Sequence, residues 1–171
     1  MNDTTADRLA IIQLVNHFGI AIDLRDWAHF KSLFADTVDF DYSSIGEVAA
    51  TLHPDDITNT ARKDLGGFQT TQHVITNHIV HLEGDKPNGM PSLRANCQAH
   101  VRAMHFLPVE GESMLEMGGY YEAELIRSDK PNGMTSLRHW KIKSWKFTIL
   151  WSRGNEQLFE LSKKTPNDAY Q

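Results

Sequence analysis

The chain has 171 residues, 40% of them hydrophobic, and a formal net charge of −5 at pH 7. This fits one globular domain, which we expect over 1–171, with its core at about 7–152 and a polar tail at 154–171 that frays. No apolar run reaches the roughly 20 residues of a membrane span, and no basic cluster favours nucleic acid as a partner. The single Cys97 and an N-terminus without signal-peptide character predict a cytoplasmic protein.

The first part of the chain has mainly helical patterns. Apolar residues at helical spacing predict helices over 7–24, 26–34 and 53–65, and alternation in TVDFDYSS predicts a strand at 37–44. Asp26 precedes the second helix and is a residue type that caps helix N-termini. Pro54 lies near the start of the third helix, where proline is favoured.

The second part of the chain has four long strand-like segments, at about 70–83, 93–107, 113–127 and 138–152. Two nearly identical decapeptides, DKPNGMPSLR at 85–94 and DKPNGMTSLR at 129–138, join the first segment to the second and the third to the fourth. Pro-Asn-Gly is typical of a tight chain reversal. Since the flanking sequences do not recur, we interpret the decapeptides as hairpin tips; a contact or binding role is the alternative.

Helices followed by hairpin-connected strands predict an α+β fold with an antiparallel sheet. A strongly twisted sheet of this size curls, and the helices are then expected to pack in its concave face. This arrangement leaves one pocket between helices and sheet, which is a natural site for a small molecule.

Asp23 and several histidines are the residues that could perform chemistry in such a pocket. Asp23 ends the first helix, where a carboxylate is electrostatically unfavourable, so it is a functional candidate as well as a possible solvent-facing side chain. Alternation puts His73 on one face of its strand together with Ile75, Asn77, Ile79 and His81. Neither face of that strand is decisively polar, so a structural role for His73 is the alternative.

The next strand alternates more cleanly. His105 shares a face with small apolar residues and is predicted to face the pocket, whereas His100 is predicted to face outward. A bulge would reverse this assignment for one of them. The nine histidines show no firm metal-ligand spacing, and there is no phosphate-binding loop or nucleophile elbow, so we expect neither a metal nor a cofactor.

The order of elements, the stretch AIDLRDWAHFKSLFADTVDFDY, the later TQHVITNH and the closing HWKIKSWKFTILW resemble the SnoaL-like branch of the nuclear-transport-factor-like superfamily. That group includes polyketide cyclases, scytalone dehydratase, bile-acid dehydratases and hexachlorocyclohexane dehydrochlorinase. The resemblance covers roughly 7–152. It implies a cone-shaped α+β fold and chemistry without a cofactor.

The resemblance also implies roles for individual residues. Asp23 matches the catalytic aspartate of the family, and His73 matches the pocket histidine that follows Thr-Gln. Tyr42 matches a tyrosine that acts through water on the substrate carbonyl in scytalone dehydratase, and His105 resembles that enzyme's second histidine. Where dehydratases of the group often carry a helix tyrosine, this chain has Ile22 or Phe18.

These residues predict a lyase or isomerase that acts on a small hydrophobic, cyclic, carbonyl or hydroxy substrate by Asp–His general acid/base chemistry. His73 is the preferred base, with His105 or His100 as alternatives. Two other functions stay open: a non-catalytic protein that binds a small molecule, and a structural subunit like that of ring-hydroxylating dioxygenases. Aromatic and long side chains of 139–151, expected on the convex face where the helices cannot cover them, predict a homo-oligomer, either a dimer or a trimer.

Overall fold

The computed structural model describes residues 3–47, 49–83, 93–128 and 140–166. The helices are α1 (Asp3–Asp23), α2 (Trp27–Ser32), α3 (Pro54–Leu65) and α4 (Leu158–Ser162), with a 3-10 turn at Ser43–Ile45. The strands are β1 (Phe34–Asp41), β2 (Ala50–Leu52), β3 (Thr70–Glu83), β4 (Arg94–Phe106), β5 (Met114–Arg127) and β6 (Trp140–Gly154). The predicted helices and the four long strands are confirmed, with ends displaced by a few residues.

The strands form one curved, open sheet in the order β2-β1-β6-β5-β4-β3, and the helices pack on it. The α+β class is therefore confirmed. Strands β3 to β6 are antiparallel neighbours, but β1 runs parallel to β6, so the sheet is mixed rather than wholly antiparallel. Most of the chain separates β1 from β6, and no hairpin turn dictates their relative direction.

Aromatic side chains fill the core between α1 and the sheet. Phe18 stacks on Trp145 with ring centroids 4.0 Å apart, and it also contacts Phe30 and Tyr121. Trp145 is fully buried. This cluster fixes the C-terminal half of α1 against the sheet, and α1 ends at Asp23 beside β3.

The aromatic residues of β6 lie on the other face from the predicted one. Trp140, Trp145 and Phe147 are buried in the core, whereas Trp151 is 44% exposed. The expectation of an apolar convex face built from 139–151 is wrong for these three residues. Two of these side chains pack against α1: Trp145 stacks on Phe18, and Trp140 Nε1 donates to Asp7 Oδ1 at 3.2 Å.

Strand β3 contains an irregularity that the alternation rule missed. Its register with β4 shifts between Thr76 and Ile79, and Asn77 has a φ of 56°. Below the shift, His73 points inward as predicted; beyond it, Val80 is buried while Ile79 is 53% exposed. The bulge inserts one extra residue and reverses which side chains face the core.

The segment after β6 was expected to be a polar, fraying tail. Over the described residues it instead forms α4, whose Leu158 and Ser162 are fully buried. The Ser162 hydroxyl donates to the Asp64 carbonyl at 2.9 Å, which holds α4 against α3. This element therefore belongs to the wall of the domain.

The two decapeptides lie outside the described residues, apart from Leu93 and Arg94 at the end of the first copy. The strand pairs that they were predicted to join, β3 with β4 and β5 with β6, are antiparallel neighbours. Among the helices in the described ranges, none combines the length and apolar character needed to cross a membrane.

Candidate functional site

A cavity of about 620 Å³ lies between the helices and the concave face of the sheet. Its walls are mostly apolar, and they include Phe18, Ile22, Phe30, Phe40, Met117 and Phe147. Four polar side chains of the inner wall, those of Tyr42, His73, His105 and Tyr121, also line it. An apolar cavity with a few polar groups is the usual form of a small-molecule site.

Asp23 and His73 are in direct contact at this wall, as the sequence predicts. The Asp23 Oδ1 atom lies 2.7 Å from His73 Nδ1, and the His73 backbone N–H donates to Asp23 Oδ2 at 2.7 Å. The His73 side chain is 5% exposed and that of Asp23 is 19% exposed. Because Asp23 occupies Nδ1, Nε2 is the ring nitrogen that remains for a molecule in the cavity.

Gly19 lets α1 approach β3 closely enough for this contact. A Cβ atom at Gly19 would lie 2.8 Å from the His73 Cβ, closer than real Cβ contacts allow. Gly19 is one helical turn before Asp23, so both residues lie on the same face of α1. The face that approaches β3 closely therefore also carries the carboxylate. The sequence shows the glycine but not the strand that it faces.

Two further residues, Thr71 and Arg25, complete the hydrogen bonding of Asp23. The Thr71 hydroxyl donates to Asp23 Oδ1 at 2.9 Å, and Arg25 Nη1 donates to Thr71 Oγ1 at 2.8 Å. Sequence reasoning missed both. The TTQH stretch placed Thr71 on the same strand face as His73, but its link to Arg25 depends on the turn after α1.

His105 is buried beside this pair, at 2% exposure. Its ring lies perpendicular to that of His73 with centroids 5.7 Å apart, and it packs between Phe68 and Phe159. Its Nδ1 atom has no hydrogen-bond partner. Burial, and then the neighbouring His73, lower the pKa of His105 to about 3, so the ring is neutral at pH 7.

Tyr42 and Tyr121 face the cavity near the core indole of Trp145. Burial raises the pKa of Tyr42 above its ordinary value, and the adjoining Trp145 and Tyr121 side chains oppose part of the rise. Burial also raises the pKa of Tyr121, and the nearby Tyr42 adds to that effect. Both phenols are therefore O–H donors at neutral pH. The sequence analysis did not identify Tyr121 as a site residue. The stretch GGYYEAEL contains two adjacent tyrosines, and only one of them can face the cavity.

Charged side chains, most of them exposed to solvent, also line the cavity. The lining residues there include the carboxylates of Glu47, Asp64, Glu156 and Glu160 and the ammonium group of Lys163. Lys163 Nζ lies 2.9 Å from Glu160 Oε1 and 3.7 Å from Asp64 Oδ1. Burial raises the pKa of Asp64, and Lys163 opposes that rise. We call this set the rim.

His100 does not join the site. Its side chain is exposed on the opposite face of β4, where the Nδ1 atom contacts Asn77 Nδ2 at 3.1 Å. The predicted opposite orientations of His100 and His105 are thus confirmed. The described residues also contain no group of three or more histidine, cysteine, aspartate or glutamate side chains arranged to hold a metal ion.

The family follows from a comparison with protein-family models, in which the SnoaL-like domain matches residues 3–146. The chain belongs to the SnoaL-like family. The match spans α1 to the middle of β6, and it includes the four predicted site residues of this SnoaL-like domain.

Solved structures share the fold of the SnoaL-like domain. Kfla4162 from Kribbella flavida is 28% identical, with a TM-score of 0.72 over 88% of this chain and 95% of that one. A hexachlorocyclohexane dehydrochlorinase, LinA-type3 from Novosphingobium barchaimii, is 18% identical, with a TM-score of 0.67 over 90% and 93%. A candidate scytalone dehydratase from Novosphingobium aromaticivorans is 16% identical, with a TM-score of 0.68 over 88% and 89%. No curated protein matches the sequence.

Proposed function

We propose that this SnoaL-like domain is a cofactor-independent lyase or isomerase of a small, largely apolar, cyclic substrate that carries a carbonyl or hydroxyl group. The observation that carries the proposal is the 2.7 Å contact between Asp23 and His73 at the wall of the apolar cavity. The names of two structural neighbours, a dehydrochlorinase and a candidate dehydratase, denote eliminations and support the reaction class.

In this mechanism neutral His73 is the general base. Its Nε2 lone pair takes a proton from the carbon next to a substrate carbonyl, and Asp23 stabilises the imidazolium that forms. In an elimination, the C–H electron pair becomes the new C=C bond while a hydroxyl leaves from the neighbouring carbon with its own bonding pair. The imidazolium then returns the proton to the departing oxygen. In an isomerisation, it returns the proton to a different carbon.

The two phenols supply the electrophilic part of the site. Tyr42 and Tyr121 line the same cavity as His73 and are protonated donors, because burial raises the pKa of each. A phenol O–H that donates to the substrate carbonyl oxygen stabilises the enolate that develops there. Donors held in a buried site do this without solvent reorganisation.

His105 is assigned a hydrogen-bonding role rather than that of the base. An imidazole whose pKa is lowered to about 3 has too little proton affinity to abstract a carbon-bound proton at neutral pH. Its Nδ1 atom, buried and without a partner, is suited to accept a hydrogen bond from a bound substrate hydroxyl. His73 is therefore preferred over His105 as the base.

The cavity also argues for a neutral substrate. Apolar side chains form most of its wall, and the rim carries four carboxylates against the single ammonium of Lys163 among its described residues. An anionic substrate would pass this excess of negative charge on entry, which disfavours it. Neutral hydroxy-ketones and phenols are the first compounds to test.

The experiment is a screen of such compounds for ultraviolet changes on turnover, followed by the His73→Ala variant. We expect turnover in the wild type and its loss by several orders of magnitude in His73→Ala, because the base is gone. His100→Ala, on the other face of the sheet, is the matched control and should keep the wild-type rate.

Two outcomes would contradict the proposal. Wild-type turnover in His73→Ala would exclude His73 as the base. Saturable binding of screened compounds without turnover of any of them would favour a protein that only binds a small molecule, since the cavity alone suffices for that function.

A further inference from the structure

We propose that Arg25 and Thr71 are positioning residues that fix the proton on His73. In this scheme Arg25 forces the Thr71 hydroxyl to donate to Asp23, and Asp23 in turn keeps the His73 proton on Nδ1. The Nε2 lone pair then points into the cavity. The inference rests on the proposed function, because it assigns how the proposed base is prepared.

The direction of each hydrogen bond follows from the chemistry of the groups. Arg25 Nη1 lies 2.8 Å from Thr71 Oγ1, and a guanidinium group only donates, so the Thr71 oxygen accepts. A hydroxyl has one proton, and the Thr71 oxygen lies 2.9 Å from Asp23 Oδ1. The Thr71 hydroxyl can therefore bind both neighbours in one way only: its oxygen accepts from Arg25 and its proton is donated to Asp23.

The Asp23 carboxylate in turn determines which ring nitrogen of His73 is protonated. Asp23 Oδ1 faces both the Thr71 hydroxyl and His73 Nδ1, and Oδ2 accepts the His73 backbone N–H. An ionised carboxylate accepts only, so His73 Nδ1 must carry a proton for as long as Asp23 Oδ1 is held against it. With three donors around it, Asp23 is held in one orientation, and the tautomer of His73 is set by a hydrogen bond at its other nitrogen.

Arg25 is itself held firmly by the backbone around it. Its Nη1 atom donates to the Ile22 carbonyl at 2.7 Å and its Nη2 atom to the Phe68 carbonyl at 3.2 Å. The Arg25 φ of 58° lies in the left-handed region, which is uncommon for a residue with a side chain. This backbone turn directs the side chain back across the C-terminal end of α1, where a cation is favourable and compensates the carboxylate of Asp23.

The test uses nitrogen-15 NMR of the histidine rings, which needs no substrate. The His73 signals are assigned by their absence in His73→Gln. In the wild type at neutral pH we expect a protonated Nδ1 and an unprotonated Nε2. Thr71→Val keeps the shape of the side chain but removes the hydroxyl, and Thr71→Ser keeps the hydroxyl. We expect mixed His73 tautomers in Thr71→Val and in Arg25→Met, because Asp23 can then turn away from Nδ1, and the wild-type tautomer in Thr71→Ser.

On an active substrate, we expect Thr71→Val to lower kcat about 10- to 100-fold, by analogy with the loss of the outer hydrogen-bond partner of a metal-bound histidine, with little change in KM. Thr71→Ser should restore most of kcat. Circular dichroism and the thermal midpoint report whether each variant folds. If Arg25→Met does not fold, the comparison of Thr71→Val with Thr71→Ser is sufficient to test the proposal.

The proposal is overturned if folded Thr71→Val keeps the single Nδ1-protonated tautomer, or if Thr71→Ser loses it as fully as Thr71→Val does. The second result would show that the hydroxyl does not hold the tautomer, because Thr71→Ser keeps that hydroxyl. These outcomes are distinct from failure of the proposed function: a tautomer shift in Thr71→Val without turnover of any substrate would leave this inference intact and contradict the catalytic role of His73.

Discussion

At the scale of single residues, the phenols of Tyr42 and Tyr121 are the donors on which the proposed enolate depends. We expect Tyr42→Phe to lower kcat/KM by roughly 10²–10³, the usual loss on removing one such donor. Tyr121→Phe should act in the same direction. Steady-state kinetics on the substrate found by screening measures both.

The control for this pair is Tyr120→Phe, because the side chain of Tyr120 alternates to the other face of β5 and does not line the cavity. It should keep the wild-type kcat/KM. Unchanged rates in both Tyr42→Phe and Tyr121→Phe would remove the phenols from the mechanism.

The buried neutral ring of His105 makes a prediction about acid stability. Burial lowers the pKa of His105 from its ordinary 6.5 to about 3 in the folded protein. As the pH falls through this window, the unfolded chain binds a proton at His105 that the folded chain does not bind. The free energy of unfolding therefore falls, by up to about 1.4 kcal/mol per pH unit from this residue.

The variant His105→Phe keeps an aromatic ring between Phe68 and Phe159. Between pH 6.5 and pH 4.5, we expect its free energy of unfolding to fall by about 2 kcal/mol less than that of the wild type. Urea unfolding at the two pH values measures this. The exposed His100→Gln is the control and should follow the wild type. Parallel pH dependences of the wild type and His105→Phe would show that His105 is not kept neutral by burial.

The site residues differ in how far the sequence could predict them. The contact of Asp23 with His73 was predictable from the family resemblance of the AIDLRDW and TQHVITNH stretches, whereas periodicity placed Asp23 at the end of a helix but left the inward face of the His73 strand open. The roles of Thr71 and Arg25 were not predictable, since their hydrogen bond depends on a left-handed backbone at Arg25. Glycine or asparagine is the residue expected in that conformation, not arginine.

At the scale of elements, α4 forms part of the cavity wall next to the site. Phe159 packs its ring 5.1 Å from the ring of His105 and 5.5 Å from that of Phe68. We expect Phe159→Ala to raise KM and to destabilise the domain by about 1–3 kcal/mol, below the full cost for a completely buried phenylalanine. Calorimetry and steady-state kinetics measure the two effects.

Leu161→Ala on the same short helix is the matched control, because Leu161 is 36% exposed and does not line the cavity. Its effect on stability should stay within about 0.5 kcal/mol. If Phe159→Ala changed neither KM nor stability beyond this control, α4 would not be part of the binding wall.

Helix α4 and the bulge in β3 show where pattern reasoning fails for elements. The α4 sequence is only five residues long, too short for helical periodicity to appear, and it folds because Leu158 and Ser162 are buried against the domain. The bulge depends on Asn77 adopting a φ of 56°, and the adjacent apolar pairs Val74-Ile75 and Ile79-Val80 leave the alternation too weak to mark its position. The packing that holds α4 is tertiary and is not visible in the local sequence.

At the scale of the whole molecule, the α+β class and the cavity followed from the order of helices and hairpin strands, but the direction of β1 did not. Its partner β6 lies more than 90 residues later in the chain, and no turn sequence connects the two strands. Homo-oligomer formation stays a prediction, to be tested by sedimentation at micromolar concentration. The inward orientation of Trp140, Trp145 and Phe147 removes the largest part of the surface from which it was argued, and Leu150 and Trp151 stay exposed.

The central claim is that the Asp23–His73 pair performs acid/base chemistry on a molecule in the cavity. The most direct test is kcat of Asp23→Asn on the screened substrate. The amide keeps the shape of the carboxylate but removes the charge that orients Nδ1–H and stabilises the imidazolium. We predict a fall in kcat of about 10³–10⁴, with the folded state retained. A wild-type kcat in folded Asp23→Asn would contradict the claim.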